Sequence, residues 1–277
     1  MSLQWYPGHM TKARRELAAL MPSRDVVIEV LDARLPGSSA NPLIAQLRKD
    51  KPCIKVLAKA DLADPAVTKA WLDHFRTQPN VSAFAASLDR PDETRARVRE
   101  LTRGMAAYRG PDKAVRALIA GVPNVGKSSL INTLMQRKVA AVSDKPAVTK
   151  QQQSVVLKDG MDLTDSPGIL WPKIEDEQGA FRLALAGSIP DTAIDILTIA
   201  MFGAQYFLEH YASLVVARFK LASVPASAED LLEAIGRRRG ALGPGGVVVI
   251  HRAAEILINE FCAGTLGRIS LEQPPKN

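Results

Sequence analysis

The chain of 277 residues has little cysteine, no signal-peptide core and no apolar run long enough to cross a bilayer. Its two cysteines, Cys53 and Cys262, are far apart and outside any metal-ligand spacing, which excludes a disulfide framework and is typical of a reducing compartment. The longest uncharged apolar run, residues 196–208, falls well short of the ~20 residues that span a membrane. The N-terminus lacks the apolar core of a secretory signal. We therefore predict a cytoplasmic protein without a membrane partner.

The composition is that of a folded, basic protein. Apolar residues make up 47% and charged residues 23% of the chain, which argues against disorder. The formal net charge is +7 and the pI is about 9.5, so a polyanion, with nucleic acid first, is the favoured class of partner. The length allows one large domain or two modest ones, and the sequence contains no fixed-period repeat. We expect a monomer.

The first two thirds of the chain alternate strand-like and helix-like segments. Near-continuous apolar runs, typical of parallel strands buried on both faces, occupy residues 25–33, 53–61, 81–87 and 115–121. Helical patterns occupy residues 10–21, 41–49, 66–76, 92–108 and 128–136. Residues 154–165 predict a hairpin that turns at Asp159 and Gly160. This alternation predicts an α/β fold with a doubly wound sheet.

After about Trp171 only helical patterns remain. We predict helices at 190–219, 228–238 and 247–263; the second opens with a capping-box pattern at Ser227 and Asp230. The pattern changes near residues 172–188. We therefore predict an α/β domain over residues 1–180 and an all-helical domain over residues 181–277.

The stretch GVPNVGKS, residues 121–128, has the spacing of a phosphate-binding loop, G-x-x-x-x-G-K-S, between a predicted strand and a predicted helix. The glycines let the backbone turn its N–H groups toward phosphates, and the helix presents its N-terminus to the anion. Lys127 would reach the β- and γ-phosphates, and the Ser128 hydroxyl would bind Mg²⁺. The predicted phosphate contacts are Pro123, Asn124, Val125, Gly126, Lys127, Ser128, Ser129 and Gly168.

Two further groups fit the metal side of such a site. Asp165 opens a D-x-x-G sequence at the end of a predicted strand, which places a carboxylate near Mg²⁺ and the N–H of Gly168 near the γ-phosphate. Thr149, between the two motifs, would supply a hydroxyl to the same metal. The predicted metal ligands are thus Ser128, Thr149 and Asp165.

The base-reading residues lie upstream of the phosphate loop. In LAKADL, residues 57–62, Asp61 can accept hydrogen bonds from guanine and the stem of Lys59 can lie over the base. Ala58 stands where an asparagine is expected, so one amide contact is missing. The next strand ends at Ala86 and Ser87, which would complete the base-side contacts.

With its base motif before its phosphate motif, the chain resembles a circularly permuted P-loop GTPase. It is most similar to the bacterial ribosome-assembly GTPases of the YlqF/RbgA type, over nearly its whole length. The matching segments are WYPGHMTKARREL, DVVIEVLDARLPGSSANP, GVPNVGKSSLIN, PAVTK, DSPGILWPK and GTLGRISLEQP. The departures are Ala58 for Asn, Ala147 for Gly and Ser166 for Thr.

The resemblance implies GTP hydrolysis coupled to maturation of the large ribosomal subunit, with GTP or GDP, that subunit and its RNA as partners. Ile169 follows the D-x-x-G sequence where many GTPases carry a water-orienting glutamine, so another group must act. The resemblance implies catalytic roles for His9 and for Asn124, the latter by holding K⁺ beside the phosphates, in addition to Lys127.

Two basic clusters are candidate RNA contacts, by phosphate binding. The first is Lys12, Arg14 and Arg15; the second is Arg237, Arg238 and Arg239 at the end of a predicted helix. Two other functions stay open at this stage. One is a P-loop ATPase with relaxed base specificity, which Ala58 makes more plausible; the other is an RNA-binding assembly scaffold that uses nucleotide only as a clamp, which Ile169 makes more plausible.

Overall fold

The computed structural model describes residues 8–110, 113–136, 153–157, 160–171, 174, 176–190 and 195–275. Within these ranges the chain forms one six-stranded sheet covered by helices, followed by a group of helices. None of the helices in the described ranges combines the length and the apolarity needed to cross a membrane.

The predicted strands and helices occur in the predicted order, with two further helices that were not predicted, at Pro36–Ser39 and Glu177–Leu185. The strands are β1 (Val26–Asp32), β2 (Cys53–Ala58), β3 (Val81–Ala85), β4 (Arg116–Ala120), β5 (Gln153–Val156) and β6 (Asp162–Asp165). The helices beside the sheet are α1 (Gly8–Leu20), α2 (Pro36–Ser39), α3 (Pro42–Arg48), α4 (Pro65–Arg76), α5 (Pro91–Met105) and α6 (Lys127–Met135). The later helices are α7 (Glu177–Leu185), α8 (Ile196–Phe219), α9 (Ala228–Arg239) and α10 (Ile250–Cys262).

The sheet has the strand order β3-β2-β1-β4-β6-β5, in which all neighbours are parallel except the antiparallel pair β5 and β6. The base motif follows β2, the phosphate loop follows β4, and Asp165 ends β6. Because the carboxyl ends of parallel strands lie at one edge of a sheet, all three meet at the same edge. The predicted fold class, with its permuted order of motifs, is confirmed.

Two apolar cores lie on the two faces of the sheet. One contains Leu17 of α1, Ile44 of α3 and Trp71 of α4 against the sheet. The other joins the opposite face of the sheet to the later helices, with Ile28 of β1 and Phe207 of α8 both fully buried. All seven residues of β1 are buried, as the continuous apolar run predicts for a central strand.

The sequence prediction is wrong at the start of two later helices and misses a third. The helix predicted at 190–219 begins at Ile196, because the carboxylate of Asp195 caps it by accepting from the N–H of Thr198 at 3.0 Å. The helix predicted at 247–263 begins at Ile250, since Val248 pairs with Leu242 in an antiparallel bridge. Helix α7 was not predicted at all. The cap predicted at Ser227 is confirmed by its hydroxyl, which accepts from the N–H of Asp230.

Candidate nucleotide site

The phosphate loop connects β4 to α6. Its Gly126 is the residue that caps α6 and has a φ of 105°, in the left-handed region that residues with a side chain seldom adopt. Helix α6 begins at the next residue, Lys127, so the N–H groups of Ser128 and Ser129 belong to its first turn. These N–H groups have no partner inside the helix and form an anion-binding terminus.

Lys127 is held inside the phosphate loop. Its side chain is buried, and Nζ donates to the carbonyl of Val122 at 2.7 Å and to that of Gly121 at 3.2 Å. Burial lowers the pKa of Lys127 to about 8, although the nearby carboxylate of Asp165 acts in the opposite direction. The ammonium group is therefore positioned by the loop's own carbonyls. These hydrogen bonds offset only part of the free-energy cost of removing its charge from water.

Asp165, at the end of β6, is buried beside Lys127. Burial raises the pKa of Asp165 to about 6, against the opposing effects of Lys127 and of the backbone N–H of Ser166. Its Oδ1 atom is buried and has no hydrogen-bond partner among the described residues. A buried carboxylate oxygen without a donor is costly, and carboxylate oxygen is the ligand that Mg²⁺ prefers.

Replacing Asp165 by asparagine should remove a pH dependence of the protein's stability. The pKa of Asp165 is about 6 in the folded protein and 3.8 in its ordinary state, so the folded state binds the proton more tightly. Proton binding therefore stabilises the fold at low pH, and this stabilisation is lost as the pH rises from about 4 to about 6. The neutral Asp165→Asn variant should therefore exceed the original protein in free energy of unfolding by about 3 kcal/mol at pH 7 and nearly match it at pH 4. Urea unfolding at both pH values, without nucleotide and in EDTA, measures this. A difference that is the same at both pH values would contradict it.

The D-x-x-G segment packs closely against the phosphate loop. A Cβ atom on Gly168 would lie 2.9 Å from the Cα of Pro123 and 3.1 Å from Nζ of Lys127, so this approach requires glycine. The segment is fixed by Ile169, whose N–H donates to the carbonyl of Gly121 and whose carbonyl accepts from Nδ2 of Asn41 at 2.7 Å. The Ile169 side chain is buried in the core and offers no polar atom with which to orient water.

A cavity of about 680 Å³ lies on the base side of the site. Asp61 and Ser87 both line it, together with Arg268 from the C-terminal end of the chain. Ala86 instead binds the segment that carries Asp61 through its backbone: its N–H donates to the carbonyl of Leu57, and its carbonyl accepts from the N–H of Ala60. Of the two residues predicted after β3, Ser87 therefore lines the cavity, whereas Ala86 makes backbone hydrogen bonds.

Lys59 connects the base side to the phosphate side. Its Nζ donates to the carbonyl of Asn124 at 2.8 Å and to Oδ2 of Asp32 at 2.9 Å. The same carboxylate accepts two hydrogen bonds from the buried Arg34, from Nε at 2.9 Å and from Nη2 at 2.8 Å. Arg34 in turn donates to the carbonyl of Phe261 in α10 and lies over its ring. This network connects both halves of the site with the later helices.

The remaining predicted residues lie as follows. Asn124 is in the phosphate loop, with a φ of 58°, and its Nδ2 donates to the carbonyl of Gly187 after α7 at 2.7 Å. His9 belongs to α1, but its side chain lies outside the described part of the chain, as does the whole of Thr149. The basic side chains are exposed on α1, at Lys12, Arg14 and Arg15, and at the end of α9, at Arg237, Arg238 and Arg239.

Sequence reasoning assigned no role to four residues that organise the site: Asp32, Arg34, Asn41 and Arg268. A charged pair directly after an apolar strand, as in VLDAR, is a signal that could have drawn attention to Asp32 and Arg34, since buried charges are rare unless paired. Asn41 and Arg268 act through backbone carbonyls, Asn41 on Ile169 and Arg268 on Ala60 and Ala63. No local pattern marks such contacts.

Comparison with known proteins agrees with this geometry. Residues 116–205 match the family described as 50S ribosome-binding GTPase. The chain is 40% identical to Ribosome biogenesis GTPase A of Bacillus pumilus, in an alignment that covers 99% of each. It is also similar to the GDP-bound structure of TM YlqF, with a TM-score of 0.68, 30% identity, and coverage of 94% of this chain and 99% of that one. The GNP-bound YlqF from T. maritima gives the same TM-score and identity, covering 96% and 100%. The family predicted from the sequence is confirmed, and the chain belongs to the ribosome biogenesis GTPase A (YlqF/RbgA) family.

Proposed function

We propose that this protein binds and hydrolyses GTP and acts in assembly of the large ribosomal subunit. The observation that carries the proposal is the meeting of three groups at one edge of the sheet: the phosphate loop, the Asp165–Gly168 segment and the base-side cavity with Asp61. Lys59 joins the base side to the phosphate side by its hydrogen bond to the carbonyl of Asn124. A site with this arrangement recognises a purine nucleotide by both ends at once.

The residues present fit a magnesium ion. Asp165 has a buried carboxylate oxygen with no hydrogen-bond partner in the described ranges, and Ser128, one residue into α6, carries a hydroxyl on the phosphate side. Asp165 and Ser128, with Thr149 from the undescribed segment, would hold the ion. When bound, Mg²⁺ would neutralise charge on the β- and γ-phosphates. The raised pKa of Asp165 then implies that metal and proton compete for its carboxylate near pH 6.

The chain's own groups perform the remaining parts of hydrolysis. The Lys127 ammonium and the backbone N–H groups at the start of α6 stabilise charge on the phosphates, where an electrostatic contact in a buried site is strongest. Asp61 accepts from the guanine ring, and Lys59 holds the base loop to the phosphate loop. Ile169 is buried and apolar, so the attacking water must be oriented by another group. We assign this role to His9, which lies at the start of α1.

Replacing His9 by alanine should lower turnover in the presence of large ribosomal subunits by about 10²-fold, because a positioned acid or base typically contributes 10²–10⁴-fold. The affinity for GTP should stay within about twofold of the original, since His9 would act only in the transition state. Single-turnover hydrolysis and GTP titration measure the two quantities. The matched control is His251→Ala, at an exposed position on α10. Equal turnover in both variants would remove His9 from the mechanism.

K⁺ is the candidate second cation. K⁺ takes oxygen ligands, and the side-chain amide of Asn124 carries one, Oδ1. The orientation of this amide is fixed because its Nδ2 donates to the carbonyl of Gly187. A bound K⁺ would offset charge that develops on the phosphates, as an arginine finger does. Turnover measured in KCl and in NaCl at equal ionic strength tests this assignment, and equal rates in the two salts would argue against it.

GTPase assays with and without large ribosomal subunits test the proposed function. We expect turnover that rises when the subunit is added, and labelled GTP that is displaced by GDP but not by ADP. Equal displacement by GDP and ADP would favour the ATPase alternative. Tight GTP-dependent binding to the subunit without any stimulation of turnover would favour the scaffold alternative, in which nucleotide acts only as a clamp.

We assign contact with ribosomal RNA to α1 and to the helical region of residues 181–277. On α1, Lys12 is highly exposed and only distantly paired with Glu16, at 3.8 Å. At the end of α9, Arg237 is paired with Glu233 at 2.6 Å and Arg239 with Glu260 at 2.8 Å. Phosphate contact by these two arginines competes with a carboxylate, so the cluster on α1 is the stronger candidate.

Replacing Lys12, Arg14 and Arg15 together by glutamine should weaken RNA binding and flatten its dependence on salt. Each lost phosphate contact should reduce the slope of log affinity against log salt by about one. Titration of fluorescent ribosomal RNA fragments between about 50 and 200 mM KCl measures the slope. The control for loss of net charge alone removes three exposed basic side chains elsewhere, in Lys49→Gln, Lys69→Gln and Arg76→Gln together. An unchanged slope in the α1 variant would exclude this cluster.

A further inference from the structure

The segment after α10, residues 264–272, crosses back from the helical region to the base side of the site; we call it the C-terminal strap. Ile269 and Leu271 are fully buried, and the N–H of Leu271 donates to the carbonyl of Arg34 at 2.6 Å. The carbonyl of Ser270 accepts from the hydroxyls of Tyr206 and Tyr211 in α8, each at 3.1 Å. The strap is therefore an ordered part of the core and is anchored to α8.

The strap makes four hydrogen bonds to the base loop, residues 59–64, which carries Asp61. Arg268 donates from Nε to the carbonyl of Ala63 at 2.9 Å and from Nη2 to the carbonyl of Ala60 at 3.0 Å. The N–H of Ile269 donates to the carbonyl of Leu62 at 3.0 Å, and the Ser270 hydroxyl accepts from the N–H of Asp64 at 3.1 Å. The two carbonyls that Arg268 binds lie on either side of Asp61 in the chain.

Arg268 also lines the base-side cavity together with Asp61 and Ser87. The base loop lacks one hydrogen-bonding side chain, because Ala58 has only a methyl group where an asparagine amide is expected. That methyl group faces the phosphate loop, since a Cβ atom added to Gly126 would lie 3.4 Å from it. A planar guanidinium presents two nitrogen atoms, here Nε and Nη2, to two carbonyls at a fixed spacing, whereas an ammonium offers a single nitrogen on a flexible stem. Arg268 thus supplies, from outside the base loop, hydrogen bonds that fix the loop's backbone.

We propose that Arg268 is a positioning residue for guanine recognition: by holding the carbonyls of Ala60 and Ala63, it holds the Asp61 carboxylate where it accepts from both the ring N1–H and the 2-amino group of guanine. The inference rests on the proposed function. Two simultaneous hydrogen bonds to one carboxylate tolerate only about 0.5 Å of displacement, so they depend on a fixed loop. A single hydrogen bond to N1–H is less demanding.

The test compares GDP with IDP, whose hypoxanthine base lacks the 2-amino group. In Arg268→Ala, the affinity for GDP should fall by roughly tenfold, whereas the affinity for IDP should fall by less than about threefold, so the preference for GDP over IDP decreases. Arg218→Ala is the matched control, since it removes an exposed guanidinium that binds Glu260 in the helical region and does not line the cavity. Its affinities for both nucleotides should equal those of the original protein.

Equal losses for GDP and IDP in Arg268→Ala would mean that Arg268 only supports the fold, and no loss for either would mean that the loop needs no brace; both results overturn the inference. If the alanine variant does not fold, Arg268→Lys is measured in the same way. It keeps the charge but loses the second nitrogen donor, so its preference for GDP over IDP should be lower than that of the original protein, and an unchanged preference would overturn the inference. An original protein that binds ADP as tightly as GDP would refute the proposed function itself, which is a separate result.

Discussion

Replacing Lys127 by alanine should reduce GTP turnover by about 10²–10³-fold and weaken GTP binding, because the phosphates lose the buried ammonium of the phosphate loop. Lys127 is prepared for this contact before nucleotide arrives. Its Nζ is held by the carbonyls of Val122 and Gly121, so little conformational freedom is lost on binding. Its pKa, lowered by burial to about 8, should rise when a triphosphate supplies negative charge.

Three measurements separate the causes of this loss. Isothermal titration gives the affinity for GTP, single-turnover hydrolysis gives the rate, and urea unfolding without nucleotide gives the stability. Lys127→Met, which keeps most of the apolar stem, should lose turnover to the same extent as Lys127→Ala while packing better. Because burial disfavours the lysine charge, neither variant should lose much stability without nucleotide. Normal turnover in Lys127→Met would show that the ammonium group is not used.

Replacing Asp32 by alanine should lower the free energy of unfolding by about 3–5 kcal/mol, because it leaves two cations without their carboxylate. Asp32 and Arg34 are each 1% exposed, and Lys59 binds the same carboxylate from the base loop. Burial alone would raise the pKa of Asp32, but Arg34 and Lys59 outweigh it and hold the pKa well below its ordinary value. The ionised pair therefore persists throughout the neutral range.

A matched control exists on α4. Asp73 also accepts from two cations, Lys69 at 2.7 Å and Arg76 at 2.5 Å, but all three side chains are largely exposed. Asp73→Ala should lower the free energy of unfolding far less than Asp32→Ala does, since exposed ion pairs contribute little. Urea unfolding of both variants measures the contrast, and similar losses in the two would contradict the role of burial.

The network around Asp32 also predicts non-additive effects. Replacing Asp32 by alanine and Arg34 by methionine together should cost less than Asp32→Ala alone, because no buried guanidinium is then left unpaired. The double variant would still lose the hydrogen bond from Arg34 to the carbonyl of Phe261. A double variant at least as unstable as the sum of its single variants would show that the pair does not act as a unit.

Much of the site could be predicted from short sequence patterns because each pattern is a local mechanical requirement. The phosphate loop needs Gly126 in a left-handed conformation and a helix that starts at the next residue, and both are present. The apolar run of β1 predicts a strand buried on both faces, and all seven residues are buried. The Ser227 cap likewise depends on residues only three positions apart.

The errors arose where a contact outside the helical pattern decided a helix boundary, or where packing stabilised a short helix. The helix predicted from 190 begins at Ile196, since a cap at Asp195 decides its start. The valines at 247–249 precede α10, and Val248 pairs with Leu242 across a turn. Helix α7 is only nine residues long, and its Ala180 and Leu183 are buried in the large core, so packing rather than a strong local pattern stabilises it.

The amino-acid sequence by itself determined the family and the permuted order of the motifs, because a phosphate loop and its partner motifs require particular residue types at short spacings. Only the tertiary structure decided how those motifs are held together. Lys59 meets the carbonyl of Asn124 across 65 positions, Arg34 meets Phe261 across 227, and Arg268 meets Ala60 across 208. Such contacts depend on the packing of strands and helices that are far apart in the chain, and most of their acceptors are backbone carbonyls, which every residue possesses and no sequence pattern identifies.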